Sequence, residues 1–176
     1  MFKKLPRHCR LLILALTALL LAAALYIGLS WKLIFEARAL YTSSSVTCLN
    51  NLAHELDAVS AGQQLPPLAM QGARKAYDVL TATNGYSYMK GFARAHFGAP
   101  SSALFVLEQI MFWLDRKSAL DEQDAAYLRT VSEECKKIYD AYFFVDANGL
   151  LQPRRRLVTQ GYLNELFQDF DARFAE

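Results

Sequence analysis

The longest apolar run of the chain lies near its N-terminus, from Leu11 to Trp31, and contains no charged side chain. As an α-helix, this run would extend about 30 Å, the thickness of the hydrocarbon core of a bilayer. Tyr26 and Trp31 lie toward its far end and Lys32 closes it. Amphipathic rings and lysine favour the headgroup layer. The pattern predicts one transmembrane helix over residues 11–31, with Tyr26, Trp31 and Lys32 at the membrane interface.

Charge predicts the orientation of this helix. Residues 1–10 carry four Lys or Arg and no acid, whereas the rest of the chain has a net charge of −2. Basic flanks stay on the cytoplasmic side. We therefore expect a cytoplasmic tail (1–10) and an extracytoplasmic domain (32–176), anchored in the inner membrane of the cell. A signal peptide cleaved near Ala22–Ala24 is the alternative, but the apolar run is longer than such a peptide needs.

Beyond Trp31 the pattern predicts helices and few strands, because period-2 alternation and β-branched residues are scarce. The fold class expected is all-α, a single N-terminal transmembrane helix continuous with an exported bundle of four to five helices. The expected segments are residues 32–60, 67–85, 86–97, 101–117, a helix beginning after Asp121 and stopped by Asn148-Gly149, and 157–174. The segment from Ala103 to Leu114 is apolar almost all round, so we expect it to be the buried centre.

The fourth of the main helices has the clearest seam. Its apolar positions alternate steps of three and four, which is typical of helical bundles; they are Leu128, Val131, Cys135, Ile138, Tyr142 and Val145. Asp121 is the expected N-cap, with Asp124 in the first turn. Asp146 to Gly149 is interpreted as a helix stop or tight turn, because its spacing does not fit a calcium loop.

Two cysteines of the exported domain, Cys48 and Cys135, both lie on apolar stripes of helices. If those helices touch, a disulfide could join them and add about 4 kcal/mol of stability. Two buried, reduced thiols are the equally weighted alternative. Cys9, on the cytoplasmic side, is expected to be a free thiol.

Catalytic chemistry has little support in the sequence. Zinc-protease, CxxC, P-loop and nucleophile-elbow motifs are missing, so we expect no enzyme activity, no metal and no cofactor. A membrane enzyme without a recognisable motif is the weakest hypothesis, and His54, His96 and Glu108 would be its first candidates.

Interaction is the better supported role. Arg154, Arg155 and Arg156 form the densest charge cluster of the exported part, and Tyr86 and Tyr88 belong to an aromatic segment between glycines. Both are candidate contact sites for lipid or protein. The expected function is a non-enzymatic scaffold or accessory subunit that binds the lipid bilayer and another membrane or envelope protein, but no nucleic acid. The sequence leaves open whether the protein also forms a homo-oligomer. The alternative is a small-molecule-binding or sensory module that signals through a membrane partner.

Overall fold

The computed structural model describes residues 6–85, 101–117, 120–154 and 160–174. In this part of the chain there are six helices and one short β-hairpin, which confirms the all-α class. The elements are α1 (Arg7–Ser60), α2 (Pro66–Gly85), α3 (Ser101–Arg116), α4 (Glu122–Tyr142), β1 (Phe143–Val145), β2 (Leu151–Pro153), α5 (Gln160–Leu166) and α6 (Gln168–Phe174). The expected segment 86–97 and the start of 157–174 lie outside the described residues. Contacts divide the chain into two compact units, residues 1–37 and 38–176.

The first unit is the N-terminal part of α1. Of the helices described, α1 alone is long and apolar enough to cross a membrane, with a mean hydropathy of 2.6 over its most apolar 18 residues and none of that stretch buried. A signal sequence would meet the same criteria. Tyr26 and Trp31 are exposed; Trp31 packs on Phe35 with ring centroids 5.8 Å apart, and Lys32 pairs with Glu36 at 3.7 Å.

The second unit holds the hydrophobic core, to which α1 to α4, β1, α5 and α6 all contribute. The seam expected on α4 is buried as far as Tyr142, and the α2 stripe Ala69, Ala73 and Ala76 is buried completely. Small side chains at these α2 positions let the neighbouring backbones approach closely. Gly72 leaves room for a side chain of α1, because a Cβ there would overlap the Glu55 carboxylate.

Polar contacts fix how α1 and α4 pair. The Ser132 hydroxyl lies 2.9 Å from the Ala53 carbonyl oxygen and 2.6 Å from the Asp57 carboxylate, which also pairs with Lys136. At the other end of α4, the Tyr142 hydroxyl donates to the Ala39 carbonyl oxygen at 3.1 Å. The two helices therefore run antiparallel, with Tyr142 beside Ala39.

The start of α4 confirms the expected cap. The Asp121 carboxylate accepts from the Asp124 backbone N–H at 2.8 Å, and the Asp124 carboxylate accepts from the Asp121 N–H at 3.2 Å. This reciprocal pair is a capping box, which satisfies two backbone donors that the first turn leaves free. Lys117 forms an ion pair with the same Asp124 side chain.

The end of α4 corrects the sequence prediction. The helix stops at Tyr142 rather than at Asn148-Gly149, and β1 and β2 form an antiparallel hairpin in which Phe144 pairs with Gln152. Gly149 has φ +77°, and its N–H donates to the Asp146 carbonyl oxygen, so Asp146 to Gly149 is the turn of the hairpin. The Phe-Phe-Val sequence of β1 suits an extended backbone better than a helix, because aromatic and β-branched side chains favour strands.

The C-terminal helix expected as one element is two, α5 and α6, separated at Phe167. Hydrogen bonds from the Phe167 N–H to Leu163 and from the Asp171 N–H to Phe167 cross this junction. Leu163, Phe167 and Phe170 are all buried, as a continuous stripe would be. The break is therefore a local irregularity that keeps the expected apolar side against the core.

Candidate interaction surfaces

Most of the interaction residues suggested by the sequence lie outside the described part of the chain: Tyr86, Tyr88, Arg155 and Arg156. Arg154 is described and exposed. Its backbone N–H donates to the Tyr142 carbonyl oxygen at 2.8 Å and so closes the base of the hairpin, while its guanidinium group lies 3.5 Å from the Asp140 carbonyl oxygen.

The two cysteines in the unit of residues 38–176, Cys48 and Cys135, are free thiols in the structure. Cys135 is completely buried, Cys48 is partly buried, and both pack against the same core. Burial raises the pKa of Cys135 to about 12, and it also raises the pKa of Cys48 despite the opposing charge of Lys75. Both thiols are therefore protonated and weakly nucleophilic at neutral pH.

Two of the three candidate catalytic residues are described, and they lie on different helices. His54 is exposed on α1, His96 lies outside the described residues, and Glu108 is on α3. Glu108 accepts a hydrogen bond from the Tyr77 hydroxyl at 2.7 Å, a contact that raises the pKa of Tyr77 and ties α3 to α2. Within the described ranges, no group of three His, Cys, Asp or Glu side chains could hold a metal ion.

A cavity of about 190 Å³ lies among α4, α5 and α6. The Glu134 side chain borders it and is only 2 % exposed, but it accepts from Lys137 at 2.8 Å and from Arg173 at 2.9 Å. A buried carboxylate paired with two cations is electrostatically compensated. This cluster joins α4 to α6 and is a structural feature of the bundle.

The outer face of α3 is a surface that the sequence prediction missed. We expected α3 to be buried all round, and this is wrong for Phe105 and Phe112, each 51 % exposed. Residues seven apart lie on the same side of a helix. The other side carries the buried positions Ala103, Val106, Leu107, Ile110 and Leu114. Glu108 and Arg116 lie on the side of the two phenylalanines, and these charges were the sequence signal that marks the exposed face.

A groove adjoins this face where α3 packs on α2. It encloses about 480 Å³, and its lining residues are Met70, Arg74, Tyr77, Asp78, Met111, Phe112 and Asp115. Methionine and aromatic side chains form an apolar floor, and the charged side chains form a rim. The Arg116 guanidinium carbon lies 3.8 Å from the centre of the Phe112 ring, so a cation stacks on the exposed aromatic. We call Phe105, Phe112 and this groove the α2–α3 surface.

Comparison with protein-family models, with curated proteins and with solved structures gives no match to this chain. A function is therefore inferred from the chemistry of its own surfaces. Among the described residues outside the N-terminal apolar helix, the α2–α3 surface combines half-exposed aromatic rings, methionines and a charged rim in one place.

Proposed function

We propose that this protein is a single-pass, membrane-anchored helical bundle that acts as a non-enzymatic scaffold or accessory subunit and binds another membrane or envelope protein. The apolar N-terminal helix supports the anchor, and the four basic residues before it support a cytoplasmic N-terminus in the inner membrane. In this arrangement the bundle of residues 38–176 faces the extracytoplasmic side.

The observation that carries the proposal is the α2–α3 surface. Phenylalanine, methionine and arginine are enriched at protein interfaces relative to the rest of a protein surface. Phe105 and Phe112 expose half of each side chain to water, which gives up part of the burial free energy of about 1.5–3 kcal/mol that a large apolar side chain can supply. A partner that covers both rings would recover it.

The shape of the surface suggests how the partner binds. An apolar groove between two packed helices, with anchors two turns apart, suits the apolar face of an incoming amphipathic helix. Arg74 and Asp78 on α2 and Asp115 on α3 offer charges for pairing at the rim. Such rim charges contribute more to the choice of partner than to affinity.

Site-specific photo-crosslinking in the native membrane tests the proposal. The full chain carries a photoreactive phenylalanine analogue at Phe112 or, as the control, at Leu65, which is 68 % exposed in the turn between α1 and α2. We expect one partner to crosslink at Phe112 and not at Leu65. The purified partner should bind the native chain with saturation. Phe112→Asp should weaken this binding at least about tenfold. That factor corresponds to about 1.4 kcal/mol, which the loss of one central interface side chain commonly costs. Equal crosslinking at both positions, or unchanged affinity of Phe112→Asp, would contradict the proposal.

A second candidate function is favoured by the size of the same groove. A volume of about 480 Å³ falls within the range of small-molecule sites, so an extracytoplasmic ligand-binding or sensory module is the alternative. Its distinguishing result is stabilisation of the purified protein, without any partner, by one compound of a metabolite set in a thermal-shift screen. Met111→Glu, on the groove floor, should abolish that stabilisation, whereas Leu65→Glu should leave it intact.

A further inference from the structure

The β-hairpin from Phe143 to Pro153 exposes an unusual amount of apolar surface at its tip. Four large side chains are 40–65 % exposed: Phe144, Val145, Leu150 and Leu151. Val145 pairs with Leu151 across the two strands, so one face carries two exposed apolar side chains, while Phe144 projects from the other face. The tip is therefore apolar on both faces.

The bundle itself accounts only for the base of the hairpin. Phe143 is buried, with its ring centroid 4.9 Å from those of Tyr139 and Tyr142. The tip is held in shape by Asp146, whose carboxylate accepts from the N–H groups of Asn148 and Leu150, each at 2.9 Å. A two-stranded hairpin is marginally stable by itself in water. The cross-strand pair of Val145 and Leu151 supports the hairpin, but both side chains keep about half or more of their surface exposed. A surface that covers the tip would remove this apolar area from water.

The hairpin lies at the end of the bundle where the chain leaves the apolar N-terminal segment. It follows Tyr142 directly, and the Tyr142 hydroxyl bonds to the Ala39 carbonyl oxygen. Ala39 lies eight positions after Trp31, the expected interface residue of the anchor. Eight Cα–Cα steps reach at most about 28 Å even when fully extended. The base of the hairpin is therefore joined to the expected interface residue by a short stretch of chain, which permits the tip to meet the lipid surface.

The charges that follow the hairpin complement a membrane. Arg154 is exposed directly after β2, and Arg155 and Arg156 follow it in the sequence. Basic residues near a bilayer that contains anionic lipids are attracted to its surface. Asp146, the acid of the tip, has its carboxylate engaged by backbone N–H groups of the turn. An apolar tip followed by arginines is the composition of elements that lie in the interface of a bilayer.

We propose that the hairpin inserts its apolar tip into the headgroup layer of the membrane that holds the anchor, while the exposed Arg154 at its base binds an anionic lipid phosphate. This inference rests on the membrane anchor of the proposed function. It gives the bundle a second attachment point to the lipid surface and so limits the directions in which the α2–α3 surface can meet its partner.

Fluorescence quenching in proteoliposomes tests the inference on the full chain. Val145, 65 % exposed, or Leu65, 68 % exposed, is replaced by cysteine in a Cys9→Ser background and labelled with an environment-sensitive dye. Leu65 is the matched control, because it lies beyond Ser60 and α1 from Ala39 to Ser60 is about 30 Å long. The two remaining cysteines should react slowly with the dye, because Cys135 is buried and the pKa of Cys48 is raised. The Cys9→Ser chain without a new cysteine measures any labelling of these two thiols.

In vesicles of phosphatidylcholine and phosphatidylglycerol we expect blue-shifted emission at Val145 and quenching by lipids that are spin-labelled near the headgroup, with neither effect at Leu65. Replacing all phosphatidylglycerol by phosphatidylcholine should reduce the quenching at Val145. Emission at Val145 as water-exposed as at Leu65 would overturn the inference.

Two further results separate this inference from its alternatives. Shielding of Val145 that disappears when the protein is diluted in excess lipid would show that a second copy covers the tip, and would also overturn it. Resistance of the full chain to carbonate extraction reports on the anchor separately. A chain that resists extraction but leaves Val145 in water would retain the proposed anchor and refute only the hairpin insertion.

Discussion

At the scale of single residues, one carboxylate of α1 makes two side-chain contacts with α4. Asp57 meets both Ser132 and Lys136, which lie one helical turn apart on α4. Burial alone raises the pKa of Asp57, but the hydrogen bonds from Lys136 and Ser132 outweigh it and hold the pKa below its ordinary value. The folded state therefore favours the ionised form.

This pKa predicts an acid-dependent contribution to stability. Because the folded pKa lies below the unfolded one, the contribution is complete above the unfolded value of about 4 and is lost as pH falls through the folded value. Asp57→Asn should lower the free energy of unfolding by about 1 kcal/mol at neutral pH, a figure reduced for solvent screening of a partly exposed pair. Urea unfolding at several pH values measures it.

The control for this prediction is Glu133→Gln, which removes an exposed carboxylate from α4, next to Ser132 in the sequence. Its effect on stability should be small, as for most surface substitutions. A loss in Asp57→Asn that stayed the same from neutral pH to below pH 3 would show that the carboxylate is not the source of the stability.

Gly72 and Glu55 give a second prediction at this scale. Alanine in place of glycine within a helix normally stabilises by about 0.5–1 kcal/mol, but a Cβ at Gly72 would overlap the Glu55 carboxylate. We expect Gly72→Ala to give this gain only in a Glu55→Ala background. In the native background the displaced carboxylate should cancel or reverse the gain. Equal effects in the two backgrounds, measured by urea unfolding, would refute the contact.

At the scale of elements, the starts of helices could be predicted and some of their ends could not. Asp121 and its partner three residues on form a local signal, and the structure confirms the cap. The end of α4 depends on two competing patterns, because Val145 continues the spacing of the seam while Phe143 to Val145 favours a strand. Tertiary packing decides between them: Phe143 remains in the core, and Val145 does not.

Helix capping gives the prediction that belongs to this scale. Asp121→Ala removes the acceptor of the Asp124 N–H and should lower the free energy of unfolding by about 1 kcal/mol. Glu122→Ala, also in the first turn but outside the capping box, should cost less. Urea unfolding followed by circular dichroism compares the two. A larger loss in Glu122→Ala would mean that charge near the helix dipole outweighs the cap.

The candidate surface was harder to predict than the fold. Composition showed that α3 is apolar, but not that the bundle covers only one side of it, since the number of helices around α3 depends on how the whole chain packs. Phe105 and Phe112 are as apolar as the buried Leu107 and Ile110. Only the charged residues Glu108 and Arg116, which lie on the same face of α3 as the two phenylalanines, mark that face as exposed. Apolar character alone predicts burial poorly, because apolar side chains also occur on the surfaces of folded proteins.

At the scale of the whole molecule, the chain contains two kinds of apolar surface. Among the described residues of the unit 38–176 the large apolar side chains are mostly buried by one another, whereas the most apolar stretch of α1 has no buried residue. These properties fit the proposed arrangement, in which water surrounds the bundle and lipid surrounds the N-terminal apolar helix. If the division is real, the bundle should not need residues 1–31 in order to fold.

A fragment of residues 32–176 should therefore remain in solution without detergent and unfold cooperatively in urea. Its free energy of unfolding should lie in the range of about 5–15 kcal/mol that is usual for single domains. Leu107→Asp, at a core position that is 1 % exposed, should abolish the transition and so verify that it reports on this core. The full chain, in contrast, should be recovered only with membranes. A fragment that aggregates or unfolds without cooperativity would mean that the N-terminal helix completes the hydrophobic core, in which case its apolar face belongs to the bundle and the proposed lipid anchor is wrong.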